Sequence, residues 1–368
     1  MALETTLTLD IGKALERLRD VQSGPTIYFK PFQEFIPTIP AGTLMTVGGY
    51  VGSFKTTFGL NFAYTNAVYG GWNSLILSLE MPRDELYVKT TVRHGLHPKF
   101  HGQEAVTYSK LKAGELSPNE ERFYNKVLLP DFQNKGETYG GTTITKGQVC
   151  IVDPEQLRQI GAGSVGDLMD YVLHRVDEDM PDGLHILVVD YVQLLASSLP
   201  VNDFDDNFKN TKIIARYMKD LALGFQSMKW KGRQGLTVVL LSQLSRAAYQ
   251  SAYQTIYKAK KKGPERYKNI FNLAAFAEST EIERASDIAI TLYSDDCLRE
   301  RQGATVIAQL LKNRQGERNE EGERMLALPD RCYIGDINVL SVDPYLQHML
   351  DMEAIDDAMQ MVDRLLPR

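Results

Sequence analysis

GGYVGSFKTT, residues 48–57, joins an apolar run to a helical pattern through a glycine-rich turn. It continues the apolar run LMTV and opens into TTFGLNFAYTNAVYG, residues 56–70, which has a helical pattern. A strand, a glycine-rich turn and a helix that starts with Lys-Thr-Thr together make an anion cradle. Glycines let backbone N–H groups converge on phosphate oxygens, and the helix N-terminus adds its partial positive charge. Lys55 can reach the outer phosphates of ATP and the Thr56 hydroxyl can ligate Mg²⁺. From Gly49 to Thr56 the spacing fits G-x-x-x-x-G-K-[ST] at every fixed position but one, where Phe54 replaces the second glycine. The nucleotide-facing candidates are therefore Gly49, Gly52, Ser53, Phe54, Lys55, Thr56 and Thr57. Read alone, the same residues could be a plain strand-to-helix turn.

Moving outward, further short apolar runs at 74–80, 148–153, 185–191, 236–243 and 287–294 alternate with helical patterns at 82–95, 164–176 and 207–230. Several runs are apolar throughout, which suits strands covered on both faces by crossover helices. The expectation is an α/β fold with a mostly parallel central sheet. ATVIAQLLKNR (304–314) and CYIGDINVLSV (332–342) flank the charged segment NRQGERNEEGER and read as antiparallel edge strands around a hairpin tip. Residues 344–366 have helical apolar spacing with a net acidic face, so a terminal helix over 343–368 is expected, with a possible protein partner. Residues 1–40 read as an extension or linker, 41–342 as the main domain, and 96–147 as an irregular excursion with a loop or a small hairpin at 134–147.

The whole chain has 368 residues, with 41 Lys and Arg against 47 Asp and Glu, giving a formal charge of −6. Its overall field does not draw in polyanions, so any nucleic-acid contact must be local. Three scattered cysteines exclude a disulfide framework and suggest a reducing, cytoplasmic setting. No apolar run approaches the length of a membrane span, and the first residues lack the apolar centre of a secretory signal.

In HILVVDYVQLL, Asp190 ends four consecutive apolar residues, where it can hold Mg²⁺ through water. With this second motif in place, the chain resembles the C-terminal ATPase domain of DnaB-type replicative hexameric helicases, within the RecA-like group of P-loop proteins. Six pieces carry the resemblance in order: LMTVGGYVGSFKTTFGLNFA, LILSLEMP, LVVDYVQLL, VVLLSQLSR, STEIERASDIAITLY and LLKNRQG. It spans about residues 40 to 340. The resemblance implies that Glu80 orients and deprotonates the attacking water and that Gln243 senses the outer phosphate. It further implies that Lys312 and Arg314 enter a neighbouring subunit's ATP site, which requires a ring or filament, expectedly a hexamer. The family's helical N-terminal collar is not expected in the 40 or so residues before the phosphate loop.

After Gln243 comes RAAYQSAYQTIYKAKKKGPERYKN, residues 246–269, read as a basic loop reaching to 277. Arg246, Lys258, Lys260, Lys261, Lys262, Arg266 and Lys268 could neutralise phosphates, and Tyr257 could stack a base, as single-stranded DNA binding requires. A solvated basic loop is the plainer alternative. Tyr249, Tyr253 and Tyr257 recur every four residues and could instead line one face of a helix packed on its own domain. His94, His97 and His101 are set aside as zinc ligands, because Gly95 and Pro98 break their alignment, and they are expected to be solvated. The resulting expectation is an ATP-hydrolysing motor on single-stranded DNA. The alternative is a nucleotide-switched assembly protein with little unwinding.

Overall fold

The computed structural model describes residues 24–100, 103–133, 136–139, 142–160, 165–193, 207–229, 235–262, 270–276, 280–294, 303–319 and 321–336. The strands are β1 Leu44–Gly49, β2 Ser74–Ser78, β3 Gly136–Tyr139, β4 Thr142–Thr145, β5 Val149–Val152, β6 Ile186–Asp190, β7 Thr237–Gln243, β8 Ile288–Tyr293, β9 Ala304–Asn313, β10 Gly322–Leu328 and β11 Tyr333–Gly335. The helices are α1 Lys30–Gln33, α2 Lys55–Gly70, α3 Arg83–His94, α4 Tyr108–Ala113, α5 Pro118–Phe123, α6 Leu129–Gln133, α7 Pro154–Ile160, α8 Val165–Asp179, α9 Asn207–Gly224, α10 Arg246–Lys262 and α11 Thr280–Ala285.

Nine strands form one sheet in the order β11-β10-β9-β8-β1-β7-β6-β2-β5. From β8 to β5 all pairings are parallel, and β9, β10 and β11 add antiparallel strands at one side. Apolar runs were the right signal, because alternate residues of one strand feed opposite cores. Leu75, Leu77, Val238 and Leu240 join one cluster with Met169, Leu173 and Met218 of α8 and α9. Their neighbours Ile76, Val239 and Leu241 join the other cluster with Phe58, Phe62 and Ala63 of α2. Helix α2 is buried around most of its circumference, as expected of a helix covered on both sides.

Several expectations change. Residues 24–39, assigned to an extension, send Ile27, Phe29, Phe32, Ile36 and Ile39 into the α2-side core, each buried side chain worth about 1.5–3 kcal/mol. The partner of β9 is β10, not residues 332–342: Gly322 pairs with Gln309 and Ala327 with Ala304. Charge at Glu323 and Arg324 disguised the start of that strand as hairpin tip. Only 333–335 of the predicted last strand is a strand among the described residues, and the predicted terminal helix lies outside them.

The 96–147 excursion is largely helical. Thr107 caps α4, and Ser117 forms a capping box with Glu120 on α5, so local hydrogen bonds start helices too short to show periodicity. Phe100, Val106, Phe123 and Leu128 pack with Val92 and Cys332 in a small separate core. The hairpin expected at 134–147 is the β3–β4 pair.

The predicted basic loop is mostly helix. Ala252 and Ile256 of α10 are buried while Arg246, Gln250 and Tyr253 are exposed, an amphipathic pattern that the lysines obscured. Tyr249 takes the packed face, stacked on Tyr50 at 4.5 Å and on Tyr293 at 5.5 Å between ring centroids. Tyr257, Lys258, Lys260, Lys261 and Lys262 lie on the helix by their backbone, whereas Arg266 and Lys268 fall outside the described residues.

The histidines also differ from expectation. His94 ends α3 fully buried, its Nδ1 2.7 Å from the Tyr64 hydroxyl and its Nε2 2.8 Å from Asp131 Oδ2. His97 is buried beside it, its ring 5.4 Å from Tyr69. His101 lies outside the described residues, and no group of three or more His, Cys, Asp or Glu able to hold a metal occurs among them.

Candidate functional site

Four adjacent strands, β1, β7, β6 and β2, end at the same edge of the sheet, in Gly49, Gln243, Asp190 and Ser78. Gly49 is level with Gln243, and Ser78 is level with Asp190. The chain passes from β1 through α2 to β2, leaving between them the places later filled by β7 and β6. In open α/β sheets a ligand crevice forms at such a point, outside the carboxyl ends of the strands.

The loop after β1 is wound tightly. Gly52 has φ +76° and Phe54 φ +66°, so the chain turns twice through the left-handed region before α2 begins. For Phe54 this costs about 1–2 kcal/mol that a glycine would avoid. Gly49 has no room for a side chain, since a Cβ there would collide with the Ser53 hydroxyl. Lys55 folds back over the loop, its Nζ donating to the carbonyls of Gly49 at 2.8 Å and Tyr50 at 3.0 Å. Burial lowers its pKa to about 8, against the opposing pull of Asp190 and Glu80.

Asp190 is 2% exposed, and burial raises its pKa to about 6 although the Thr56 hydroxyl donates to it. Its Oδ2 and the Ser53 Oγ are both buried without a hydrogen-bond partner. Such orphaned oxygens cost about 1–3 kcal/mol each, and the Ser74, Thr291 and Ser294 hydroxyls are others; here two of them meet at the start of α2, beside Lys55 and Thr56. Thr56 and Asp190 offer two oxygens to one cation, a set suited to Mg²⁺, which keeps most of its waters and takes few protein ligands. Thr57, Gly52 and the backbone around Lys55 complete the cradle at the start of a helix, where negative charge is favoured.

Glu80 is exposed just beyond β2. Ser78 clamps its turn, with Oγ donating to Met81 O at 2.7 Å and accepting from Met81 N at 3.1 Å. The Glu80 charge is felt at Lys55, Asp190 and Tyr191 alike, so the carboxylate faces the same crevice. Gln243 is half-buried, its amide group bonded to the Tyr191 hydroxyl and its backbone N–H donating to Gln193 Oε1 at 3.2 Å. Gln193 Nε2 reaches back to Gln243 O at 3.2 Å. Tyr191 and Gln193, the residues that orient Gln243, lie inside LVVDYVQLL but drew no sequence assignment. Their signal was position: one and three residues past the aspartate, they leave β6 beside the end of β7. Leu244 N, next along, donates to Gly49 O at 3.2 Å, and the exposed Arg246 is bonded to the Tyr50 hydroxyl. Tyr50 thus ties the loop after β1 to the first turn of α10 through both Arg246 and Tyr249.

Residues 24–322 match the DnaB-like helicase C-terminal domain. The chain belongs to that family. Among solved structures it is similar to the ATPase domain of G40P, at 16% identity and TM-score 0.64 over 91% of this chain and all of that one. A DnaB-like replicative helicase, solved to study its interactions with primase, matches at 18% identity and TM-score 0.63 over 89% of this chain and 68% of that one. At these identities the likeness shows the shared fold alone. No curated protein matches the sequence.

Within this DnaB-like domain, Lys312 and Arg314 stand apart from the crevice. Lys312 is paired with Ala289 and Nζ donates to Glu283 O at 2.6 Å. Arg314 contacts Asp287 Oδ1 at 3.2 Å and Arg284 O at 2.8 Å. Asp287 N donates to Leu44 O, so Arg314 lies at the beginning of β1, about 16 Å of strand from the phosphate loop at its end. The basic pair does not meet its own loop. No helix among the described residues is long and apolar enough to cross a membrane.

Proposed function

We propose that this DnaB-like domain is an ATP-hydrolysing motor that moves along single-stranded DNA as a ring, expectedly of six subunits. The observation that carries the reading is the convergence of Lys55, Thr56, Asp190, Glu80 and Gln243 at one sheet edge around two buried, unpaired oxygens. Bound Mg²⁺·ATP supplies the transferable phosphoryl group and the metal charge that stabilises it. Lys55 leaves its loop carbonyls to neutralise outer phosphate oxygens. Thr56 and ionised Asp190 hold the cation. Glu80, held by the Ser78 clamp, positions a water and accepts its proton at the carboxylate. Gln243 exchanges its Tyr191 contact according to what occupies the crevice.

Two paths lead from that edge to α10: the two-residue link, Leu244 and Ser245, from Gln243 to Arg246, and the Tyr50–Tyr249 stack. α10 carries Lys258, Lys260, Lys261 and Lys262 near its end, giving the globally acidic chain a local basic segment for a sequence-independent strand contact. Because Lys312 and Arg314 lie at the far end of the sheet, their service to a phosphoryl group must be in trans, with Arg314 exchanging Asp287 for a neighbour's phosphate.

The test is ATPase activity of the purified protein with and without single-stranded DNA. Stimulation by DNA is expected. Mixed with a Lys55→Ala protein, an inactive Arg314→Ala protein should regain partial activity, since one intact loop can then face one intact arginine. A protein that neither binds single-stranded DNA nor responds to it would sink the motor and leave the nucleotide-switched assembly reading.

A further inference from the structure

Phe54 is the residue that the phosphate-loop pattern does not explain. It occupies a glycine's place in a glycine's conformation, with φ +66°. Its ring is half-buried, packed against the α2-side core, and it also lines a cavity of about 360 Å³ beside the loop. Four separate parts of the chain make that cavity: the first turn of α2, through Thr56 and Thr57; α3 with the turn before it, through Met81 and Lys89; the start of α4, through Tyr108; and the turn at Pro329–Arg331, through Pro329 and Asp330. A volume of this size is at the lower end of the range for small-molecule sites, about 300–1,000 Å³.

The position of the cavity constrains its occupant. A triphosphate cradled at the start of α2 must send its sugar and base to one side of that first turn. One side is closed by β6, where Asp190 is buried; the cavity lies open beside Thr56 and Thr57. Its wall is mostly apolar, and its polar groups are already oriented. Tyr108 donates its hydroxyl to Glu85 at 2.7 Å, and the same Glu85 holds Lys89 at 3.1 Å. Asp330 accepts from the backbone and the hydroxyl of Ser109, at 2.8 and 2.6 Å. An aromatic wall with a cation, a carboxylate and a fixed phenol around it has the composition needed to recognise a flat heterocycle by its face and its edge.

We propose that Phe54 is a specificity residue: an aromatic platform for the nucleobase of the nucleotide whose phosphates occupy the adjoining loop. The inference rests on the loop being a nucleotide site. The left-handed backbone at Phe54 is then retained because it sets the ring against the core on one side and the cavity on the other. A purine, with the larger stacking surface, is preferred to a pyrimidine.

The test compares binding of ATP, CTP and inorganic tripolyphosphate, each with Mg²⁺, to the full chain and to Phe54→Gly and Phe54→Tyr. Glycine is at ease at positive φ, so Phe54→Gly removes the ring without straining the loop; thermal unfolding of each variant checks that the fold is kept. The parent is expected to favour ATP over CTP. Phe54→Gly should weaken ATP by about tenfold or more and bring ATP and CTP close together, with tripolyphosphate unchanged. Phe54→Tyr should bind as the parent does. An unchanged ATP-to-CTP ratio in Phe54→Gly overturns the platform, as does an equal loss of tripolyphosphate, which would make Phe54 a loop-shaping residue. If the parent binds none of the three, the nucleotide-site reading beneath it falls as well.

Discussion

Two buried polar clusters meet α2, one at its first turn and one at Tyr64, and they differ in one respect. Around His94 each ring nitrogen has a partner, and Asp131 gathers His94, Lys99 and Lys146. At the sheet edge, Asp190 Oδ2 and Ser53 Oγ have none, and Lys55 spends its ammonium on its own loop. The first cluster is complete within the fold, so its residues serve stability. The second keeps two buried oxygens open, which is what supports the ligand site proposed there. Residue types do not separate the two; hydrogen-bond satisfaction does.

That contrast can be broken, and the largest effect should come from Glu80. Glu80→Gln is expected to keep ATP affinity and lower turnover about 10²–10⁴-fold, because a water-positioning carboxylate acts in the transition state. A turnover rate equal to the parent's would return Glu80 to an ordinary surface position. Next, Lys55→Ala should weaken ATP binding by about 100-fold or more while leaving the ligand-free protein no less stable, since burial already disfavours that ammonium. A clear loss of melting temperature without nucleotide would contradict this. Asp131→Ala should do the reverse. It leaves His94 and Lys146 without their carboxylate, which should cost about 1–3 kcal/mol of stability, with nucleotide affinity intact as read by titration.

The pH dependence sharpens the same comparison. Burial lowers His94 to about 4 and His97 to about 3, so both are neutral in the fold. Their contribution is fully present above pH 6.5 and is lost as pH falls towards 4, about 3 kcal/mol for His94. Asp190, raised to about 6, runs the other way: the fold favours its neutral form, a contribution lost as pH rises through 6. Asp190→Asn should therefore steepen the acid loss of stability seen by denaturant titration. Mg²⁺·ATP affinity in the parent should be greatest between about pH 6 and 8, because protons compete for Asp190 below that window and Lys55 loses its charge above it. A flat affinity profile from pH 5 to 9 would separate these two residues from the ligand.

The smallest expected effect is on α10. Replacing Lys260, Lys261 and Lys262 with Ala should reduce the salt dependence of single-stranded DNA binding by about two in log–log slope and leave DNA-independent ATPase unchanged. An unaltered slope would assign those lysines to the solvated face of a helix.

Much of the fold and of the site was legible in the chain itself. Apolar runs specified a parallel sheet because strands covered on both faces must be apolar on both, and β1, β2, β6, β7 and β8 are buried along almost their whole length. Lys55, Thr56, Glu80, Asp190 and Gln243 were expected to share a site from the short, ordered spacings of a phosphate-loop pattern and of strand ends, and they lie at one edge of the sheet; their roles are the proposal made above. The sequence could not show that Gly49 lies beside Gln243 or Ser78 beside Asp190, since strand order depends on which crossovers pack best. Nor could it separate a histidine facing water from one closed against Tyr64 and Asp131, a choice made by helices far apart in the chain. Phe54 shows the division most clearly: from the sequence it is a broken glycine pattern, and only the packing of α2, α3 and the turn at 329–331 gives its ring a cavity to line. Local chemistry follows from neighbours in sequence; burial and satisfaction follow from neighbours in space, and those are fixed only when the whole core closes.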